Sequence, residues 1–192
     1  MALTPSTMLA LGTQAPDFSL PDVVTGKTIT LQSFSGKKGL LVMFICRHCP
    51  YVQHIQQELA LLGKDYSGGH AGKDLGIAAI SANDARNYPD DSPRNLKKMA
   101  QELGFSFPFC YDESQQTAHA YSAACTPDFF LFDAQRKLVY RGQMDDSRPG
   151  NGKPVTGQDL RAAMDAVLAG KMPAADQKAS VGCNIKWKKG NE

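Results

Sequence analysis

The chain has no excess of charge of either sign: 21 Lys and Arg stand against 19 Asp and Glu in 192 residues. Such a balance leaves no electrostatic footprint for nucleic acid or an anionic membrane. No stretch is long and apolar enough to span a bilayer, and the first eleven residues lack the basic start and cleavage site of a secretory leader. A cytoplasmic location is therefore expected. Cysteine is sparse, five in all, and the number is odd. In a reducing compartment this argues against a disulfide framework and for thiols that are reactive or simply buried. A tetrahedral zinc site built on paired C-x-x-C motifs lacks its second pair, because Cys110, Cys125 and Cys183 are each isolated. There are no internal repeats, and Trp187 is the single tryptophan. The length suits one domain with a sizeable core and is short for two.

What is present centres on Gly39 to Leu62. Gly39-Leu40-Leu41-Val42-Met43-Phe44-Ile45 is apolar without alternation, as a strand buried on both faces reads. Val52, Ile55, Leu59 and Leu62 follow at steps of three and four, one apolar face of a helix. Between them lies Cys46-Arg47-His48-Cys49-Pro50. Pro50 has no N–H and a preset φ, so it suits the first helical position and makes Cys49 the N-cap. The open amides and dipole of the first turn favour an anion at the Cys49 sulfur, and the thiolate is the reactive form of cysteine. Cys46 is close enough in sequence to close a short disulfide, and Arg47 and His48 add charge beside the pair. Strand, cysteine pair, helix is a redox context. Inert packing is the common fate of a single cysteine, and it fits Cys110 in its apolar strand better than this pair.

Taken in order, residues 1–11 read as a loose arm. Phe18 and Leu20 mark a short strand, Thr25-Gly26-Lys27 a turn and Thr28 to Leu31 the return strand of a hairpin. After the central strand and its helix, a second buried run, Leu75 to Ile80, completes a β-α-β unit. The long polar loop from Asp84 to Asp91 leads to a helix capped by Ser92, begun by Pro93 and stopped at Gly104. Glu113 to Ala123 reads as helical. Cys125-Thr126-Pro127-Asp128 precedes the buried strand Phe129 to Phe132, and Lys137 to Arg141 alternates like an edge strand. Residues 142–157, including Asp145-Asp146-Ser147-Arg148, read as an exposed, solvated loop, and Leu160 to Leu168 as a closing amphipathic helix. The tail, 171–192, is expected to pack partly on a body spanning 12–170. His54 reads as a surface residue; His70 and His119 have no local context. The sum is an α/β chain with a mixed sheet covered by helices on both faces and a hairpin at the front.

On these residues the chain resembles the thioredoxin-like fold, in the branch holding peroxiredoxins and the membrane-side thiol reductases. Ala15-Pro16-Asp17-Phe18-Ser19-Leu20 is similar to the start of that branch, and Thr126-Pro127 to the cis-proline loop that faces the active cysteine. Cys46 to Val52 together with Gly182-Cys183-Asn184-Ile185-Lys186-Trp187 resembles a bacterial group of thioredoxin or thiol-specific-antioxidant (AhpC/TSA) proteins. The resemblance implies thiol–disulfide exchange with no organic cofactor and no metal. It implies protein or small-molecule disulfides as substrates, a thiol system as reductant, and a monomer or homodimer. Counted from the aromatic at the strand end, Cys49 stands where thioredoxins carry their nucleophile, so Cys49 attacks and Cys46 resolves. The opposite order stays open. His48 and Pro50 would tune the pair, the backbone at Thr126 and Pro127 would hold a partner peptide, and Cys125 or Cys183 could supply a third thiol. Two alternatives differ in kind. One is a thiol peroxidase with antioxidant activity, for which Cys46 and Val42 replace the threonine and proline of the peroxiredoxin pattern. The other is a soft-metal carrier holding copper through Cys46, Cys49 and His48.

Overall fold

The computed structural model describes residues 3–68 and 74–192. His70 and part of the glycine stop after the first long helix lie outside the described residues. In chain order the strands and helices are β1 (Leu3–Pro5), β2 (Ser19–Pro21), β3 (Thr28–Thr30), β4 (Leu40–Phe44), α1 (Pro50–Tyr66), β5 (Gly76–Ser81), α2 (Pro93–Leu103), β6 (Phe109–Tyr111), α3 (Gln116–Ala120), β7 (Cys125–Thr126), β8 (Asp128–Phe132), β9 (Leu138–Gly142), α4 (Gln158–Leu168) and β10 (Val181–Asn184). Among the described residues no helix is long and apolar enough to cross a membrane.

The main sheet runs β6-β5-β4-β8-β9. β4 lies parallel to β5 and antiparallel to β8, with Phe44 opposite Ile80 on one side and Asp128 on the other. Every residue of β4, β5 and β8 is buried, the reason their sequences show no polar alternation. The two-residue period sorts their side chains onto two faces. Leu41, Met43, Ile77, Phe129 and Leu131 meet α1, α2 and α4. Leu40, Val42, Phe44, Ile80, Phe130 and Phe132 meet Phe18 and Leu20 of the front hairpin, with Ala118 and Tyr121 of the α3 region. Burying each large apolar side chain contributes about 1.5–3 kcal/mol. Helices thus stand on both faces, but unequally: three on one, and a single short one with the hairpin on the other.

α1 is fixed along its length. Val52, Ile55, Leu59 and Leu62 are its buried stripe. From α4, the Arg161 guanidinium donates to Glu58 at 2.6 Å and Asp65 at 2.8 Å, and Asp165 accepts from the Tyr66 hydroxyl at 2.9 Å. At α2, Ser92 is the N-cap, Pro93 the first residue and Gly104 the left-handed C-terminal residue, as the caps in the sequence indicate.

Three expectations need correction. The segment from Leu3 is not a loose arm: β1 pairs with β10, Leu3 opposite Cys183, and the Ser6 amide donates to Ser180 at 2.8 Å. The helix expected over Glu113 to Ala123 contains only the five residues of α3, because the Asp112 carboxylate takes the Ser114 hydroxyl and Ala118 amide and holds the approach as a turn. The loop after β9 is not solvated throughout. Asp145 is buried and its carboxylate accepts from the amides of Ser147, Thr156 and Gly157.

Candidate active site

The site begins where β4 ends. The Ile45 amide still donates to Ile80; then the chain turns through Cys46-Arg47-His48 into α1, with Cys49 as N-cap and Pro50 first in the helix. The turn is folded around a carboxylate. Asp91, fully buried, accepts from the Arg47 amide at 2.8 Å and the His48 amide at 3.1 Å through Oδ1. Its Oδ2 accepts from Asn83 Nδ2 at 2.8 Å and is bonded to His48 Nδ1. Gln53, one turn into α1, donates to the Arg47 carbonyl and closes the loop. The His48 ring stacks on Tyr88, centroids 5.6 Å apart. Burial alone would push the Asp91 carboxyl up, but the bonds from His48 and Asn83 outweigh it and hold it low. The same bond from Asp91 raises His48 above its usual value, against burial. Each partner favours the charged form of the other.

Three of the five sulfurs meet beside this turn. Cys49 lies well below an ordinary thiol, chiefly through the neighbouring Cys46 thiol; burial opposes it, and the Cys183 thiol, the Val52 amide and the Thr126 hydroxyl add to it. As a thiol Cys49 would donate to the Thr126 carbonyl at 3.1 Å. The same sulfur stands at the open first turn of α1, where the free amides and the helix dipole favour the thiolate. Cys46 is raised because it donates to Cys49, and further by burial and the Asp91 charge. Its sulfur lies 3.3 Å from Thr126 Oγ1 and 3.9 Å from His48 Nδ1. Cys183 is raised by burial and by its bond to Cys49.

The remaining candidates separate clearly. The Thr126–Pro127 bond is cis. Its backbone, expected to hold a partner strand, already has one from the same chain: β10 pairs with β7, Cys183 opposite Thr126 and Asn184 opposite Cys125. The Cys125 thiol is turned to the Pro127 carbonyl at 3.6 Å, so of the two possible third thiols it is Cys183 that bonds Cys49. Cys110 is buried in β6, and burial pushes it up to about 12. His54 is no free surface residue: its Nε2 lies 2.7 Å from Ser147 Oγ, and both line a groove with Tyr51, Pro127, Gln143 and Arg148. His119 stacks on Trp187 at 4.2 Å. Cys46 Sγ, a His48 ring nitrogen and an Asp91 oxygen lie within 4.8 Å of one another. His48 Nδ1 and Asp91 Oδ2 are bonded to each other, while His48 Nε2 has no hydrogen-bond partner among the described residues.

Two residues that sequence reasoning passed over shape the site. Asp91 sits in a polar loop 42 residues after Cys49 in the chain, and only the fold brings it under the turn. Asp128, the first residue of β8, is fully buried, and its Oδ1 has no hydrogen-bond partner among the described residues. Burial pushes its carboxyl up to about 7, against bonds from Ser6 and the Ala124 and Phe129 amides. A buried run directly after a cis-proline offered one signal, a carboxylate with no exposed neighbour.

Comparison with known proteins agrees with this fold. A solved structure of an uncharacterized conserved protein from Geobacillus kaustophilus superposes with a TM-score of 0.93 at 52% identity, covering 98% of this chain and 97% of that one. A putative thiol:disulfide interchange protein DsbE from Chlorobium tepidum matches in fold, with a TM-score of 0.61 at 20% identity over 83% of this chain and 99% of that one. In sequence, the thiol-disulfide oxidoreductase ResA of Geobacillus thermodenitrificans is 27% identical over 138 residues, 70% of each chain. The Redoxin family model matches residues 10–160, and with its thioredoxin-like fold the chain belongs to the Redoxin family.

Proposed function

We propose that this protein is a thiol–disulfide oxidoreductase in which Cys49 attacks and Cys46 resolves. The observation that carries the proposal is the placement of Cys49 as N-cap of α1, its sulfur 3.1 Å from the Thr126 carbonyl beside the cis-proline, with the Cys46 sulfur 3.3 Å from Thr126 Oγ1 in the same cluster. The Cys49 thiolate attacks one sulfur of a substrate disulfide. A mixed disulfide forms and the other half leaves as a thiolate. Cys46 then gives its proton to a departing thiolate and attacks the Cys49 sulfur, closing a Cys46–Cys49 disulfide and releasing the second half of the substrate as a thiol. A separate thiol system returns the pair to the dithiol. The His48 imidazolium, held by Asp91, keeps positive charge beside the sulfurs and favours the reduced, thiolate form.

Both sulfurs are fully covered, and Thr126 and Cys183 are part of that cover for Cys49. Exchange therefore includes a movement that bares Cys49, and the groove beside Pro127 is where a small or peptide disulfide is received. No organic cofactor takes part, and the setting is the cytoplasm, with the protein a monomer or homodimer. Reduction of glutathione disulfide and of insulin, driven by dithiothreitol, tests the reading. The wild type is expected to turn over at least one of them, Cys49→Ser neither, and Cys46→Ser to stall as a mixed disulfide. Activity retained in Cys49→Ser would reverse the roles; no activity in the wild type on either substrate would end the proposal. Alkylation of Cys49 by iodoacetamide is expected to persist far below the ordinary thiol pKa of about 8.5.

A further inference from the structure

β10 lies where an extended peptide would lie. Strand pairing with the segment before a cis-proline is a means of holding a partner chain by its backbone, and here that segment, β7, is paired with residues of the chain's own tail. The pairing is close. A Cβ on Gly182 would come within 2.0 Å of the Thr126 carbonyl oxygen and 3.2 Å of Pro127 Cδ, so only glycine admits this approach. The next residue is a cysteine. It lies opposite Thr126, whose carbonyl is 3.1 Å from the Cys49 sulfur, so the register sets Cys183 beside Cys49 across the same residue. β1 pairs with the other edge of β10, opposite Cys183 itself, so the strand is held from both sides with its sulfur inward.

We propose that Cys183 is an internal exchange partner of Cys49, presented by β10 as a tethered substrate strand, so that the Cys49 sulfur can be resolved by either of two thiols. This rests on the reading of Cys49 as the attacking thiolate. After Cys49 has formed a mixed disulfide with a substrate half, Cys183 loses its proton to a departing thiolate and attacks the Cys49 sulfur. The Cys49–Cys183 bond forms and the second substrate half leaves as a thiol. Two protein thiols are oxidised and one substrate disulfide is reduced. Cys46 then attacks the same sulfur; the Cys46–Cys49 bond forms and Cys183 departs as a thiolate that regains the proton Cys46 loses. The second step moves a disulfide without net oxidation. A peptide disulfide must displace β10 to use the β7 edge, whereas a small disulfide need only reach Cys49, so the arrangement selects for small substrates.

Stoichiometric reaction with a chromogenic aromatic disulfide, followed by peptide mapping, tests this. In Cys46→Ser, attack by Cys49 releases one coloured thiolate, and closure by Cys183 releases a second. Two equivalents, with a Cys49–Cys183 peptide pair and no adduct left on the protein, are expected. Cys46→Ser/Cys183→Ser is expected to stop at one equivalent with the adduct on Cys49. In the wild type, acid-quenched at increasing times, the Cys49–Cys183 pair is expected alongside Cys46–Cys49, a readout that does not depend on any variant folding. One equivalent in Cys46→Ser with a stable adduct on Cys49, together with no Cys49–Cys183 pair in the wild type, overturns the proposal and leaves Cys49 as nucleophile. Absence of even the first equivalent at Cys49 overturns the parent reading instead.

Discussion

Two buried carboxylates flank the cysteine pair, and the protein treats them oppositely. Asp91 lies under the turn that carries Cys46 and has four donors from Arg47, His48 and Asn83. Asp128 lies under the cis-proline loop that contacts Cys49, and its Oδ1 has no partner among the described residues. Both have no exposed surface. The first is held as an anion; the second is pushed up to about 7. Burial alone decides neither outcome. What differs is that Asp91 has donors on both oxygens and an imidazole beside it, whereas Asp128 has donors but one oxygen left unpartnered among the described residues and no such ring, and an incompletely bonded buried charge is costly. The same comparison separates two functions. Asp91 orders a loop and holds the His48 ring in place. Asp128 stands at the edge of ionisation, tied through Ser6 to the segment that follows β1.

The strongest way to break the contrast is Asp91→Ala. It removes the acceptor for two turn amides and leaves His48 and Asn83 unpartnered, and removing one partner of a buried charged pair costs about 3–5 kcal/mol. Chemical denaturation should show that loss. Because the turn would no longer be held, Cys46 and Cys49 should react with maleimide faster in the folded variant than in the wild type. A loss below about 1 kcal/mol, within the range of ordinary surface changes, would mean that the turn is ordered by its neighbours and not by the carboxylate.

Asp128→Asn sharpens the contrast in the opposite direction, because it is expected to stabilise. The folded carboxyl binds its proton more tightly than the unfolded one, whose pKa is about 4, so the native state holds more protons between about pH 4 and pH 7 and stability falls as pH rises through that window. The amide has no charge to bury. At pH 8 the variant is expected to be more stable by up to about 4 kcal/mol, with the gain shrinking toward zero below about pH 4. Equilibrium urea melts at both pH values check the sign; a variant destabilised equally at both would show that the Asp128 carboxylate has partners the contrast denies it.

How much of this was legible in the sequence follows from range. β4 and α1 were, since a run of adjacent apolar residues and a helical stripe are local patterns, and Pro50 fixed where the helix starts. So were the hairpin, the ends of α2 and the burial of Cys110. β1 and β10 were not, because three- and four-residue strands carry little signal of their own and exist through pairing with each other and with β7 across most of the chain. The donor sets of Asp91 and Asp128 were invisible for the same reason: an aspartate in a loop looks alike whether it meets solvent or backbone amides. The cysteine pair could be found from spacing, but the third sulfur could be placed against Cys49 only by the register of β10.

His48→Gln is the smallest of the expected effects and the most discriminating. It removes the cation while the backbone amides and Asn83 still serve Asp91, so the loss is that of one charge-assisted bond, about 1.5 kcal/mol. The pH dependence carries the information. Because His48 is raised in the folded state, its contribution is fully present below its unfolded pKa of about 6.5 and is lost as pH rises through the higher folded value. Asp91, held low, contributes above its own unfolded pKa of about 4 and loses that as pH falls through its lower folded value. Both halves of the pair are therefore intact between about pH 4 and pH 6.5, and wild type and variant should differ most there and converge at alkaline pH. The redox potential of the Cys46–Cys49 couple should fall in the variant at neutral pH, since the reduced thiolate loses a neighbouring cation. A stability difference that stays flat across this range would mean that His48 meets Asp91 as a neutral ring, and the charge beside the sulfurs would then have to come from elsewhere.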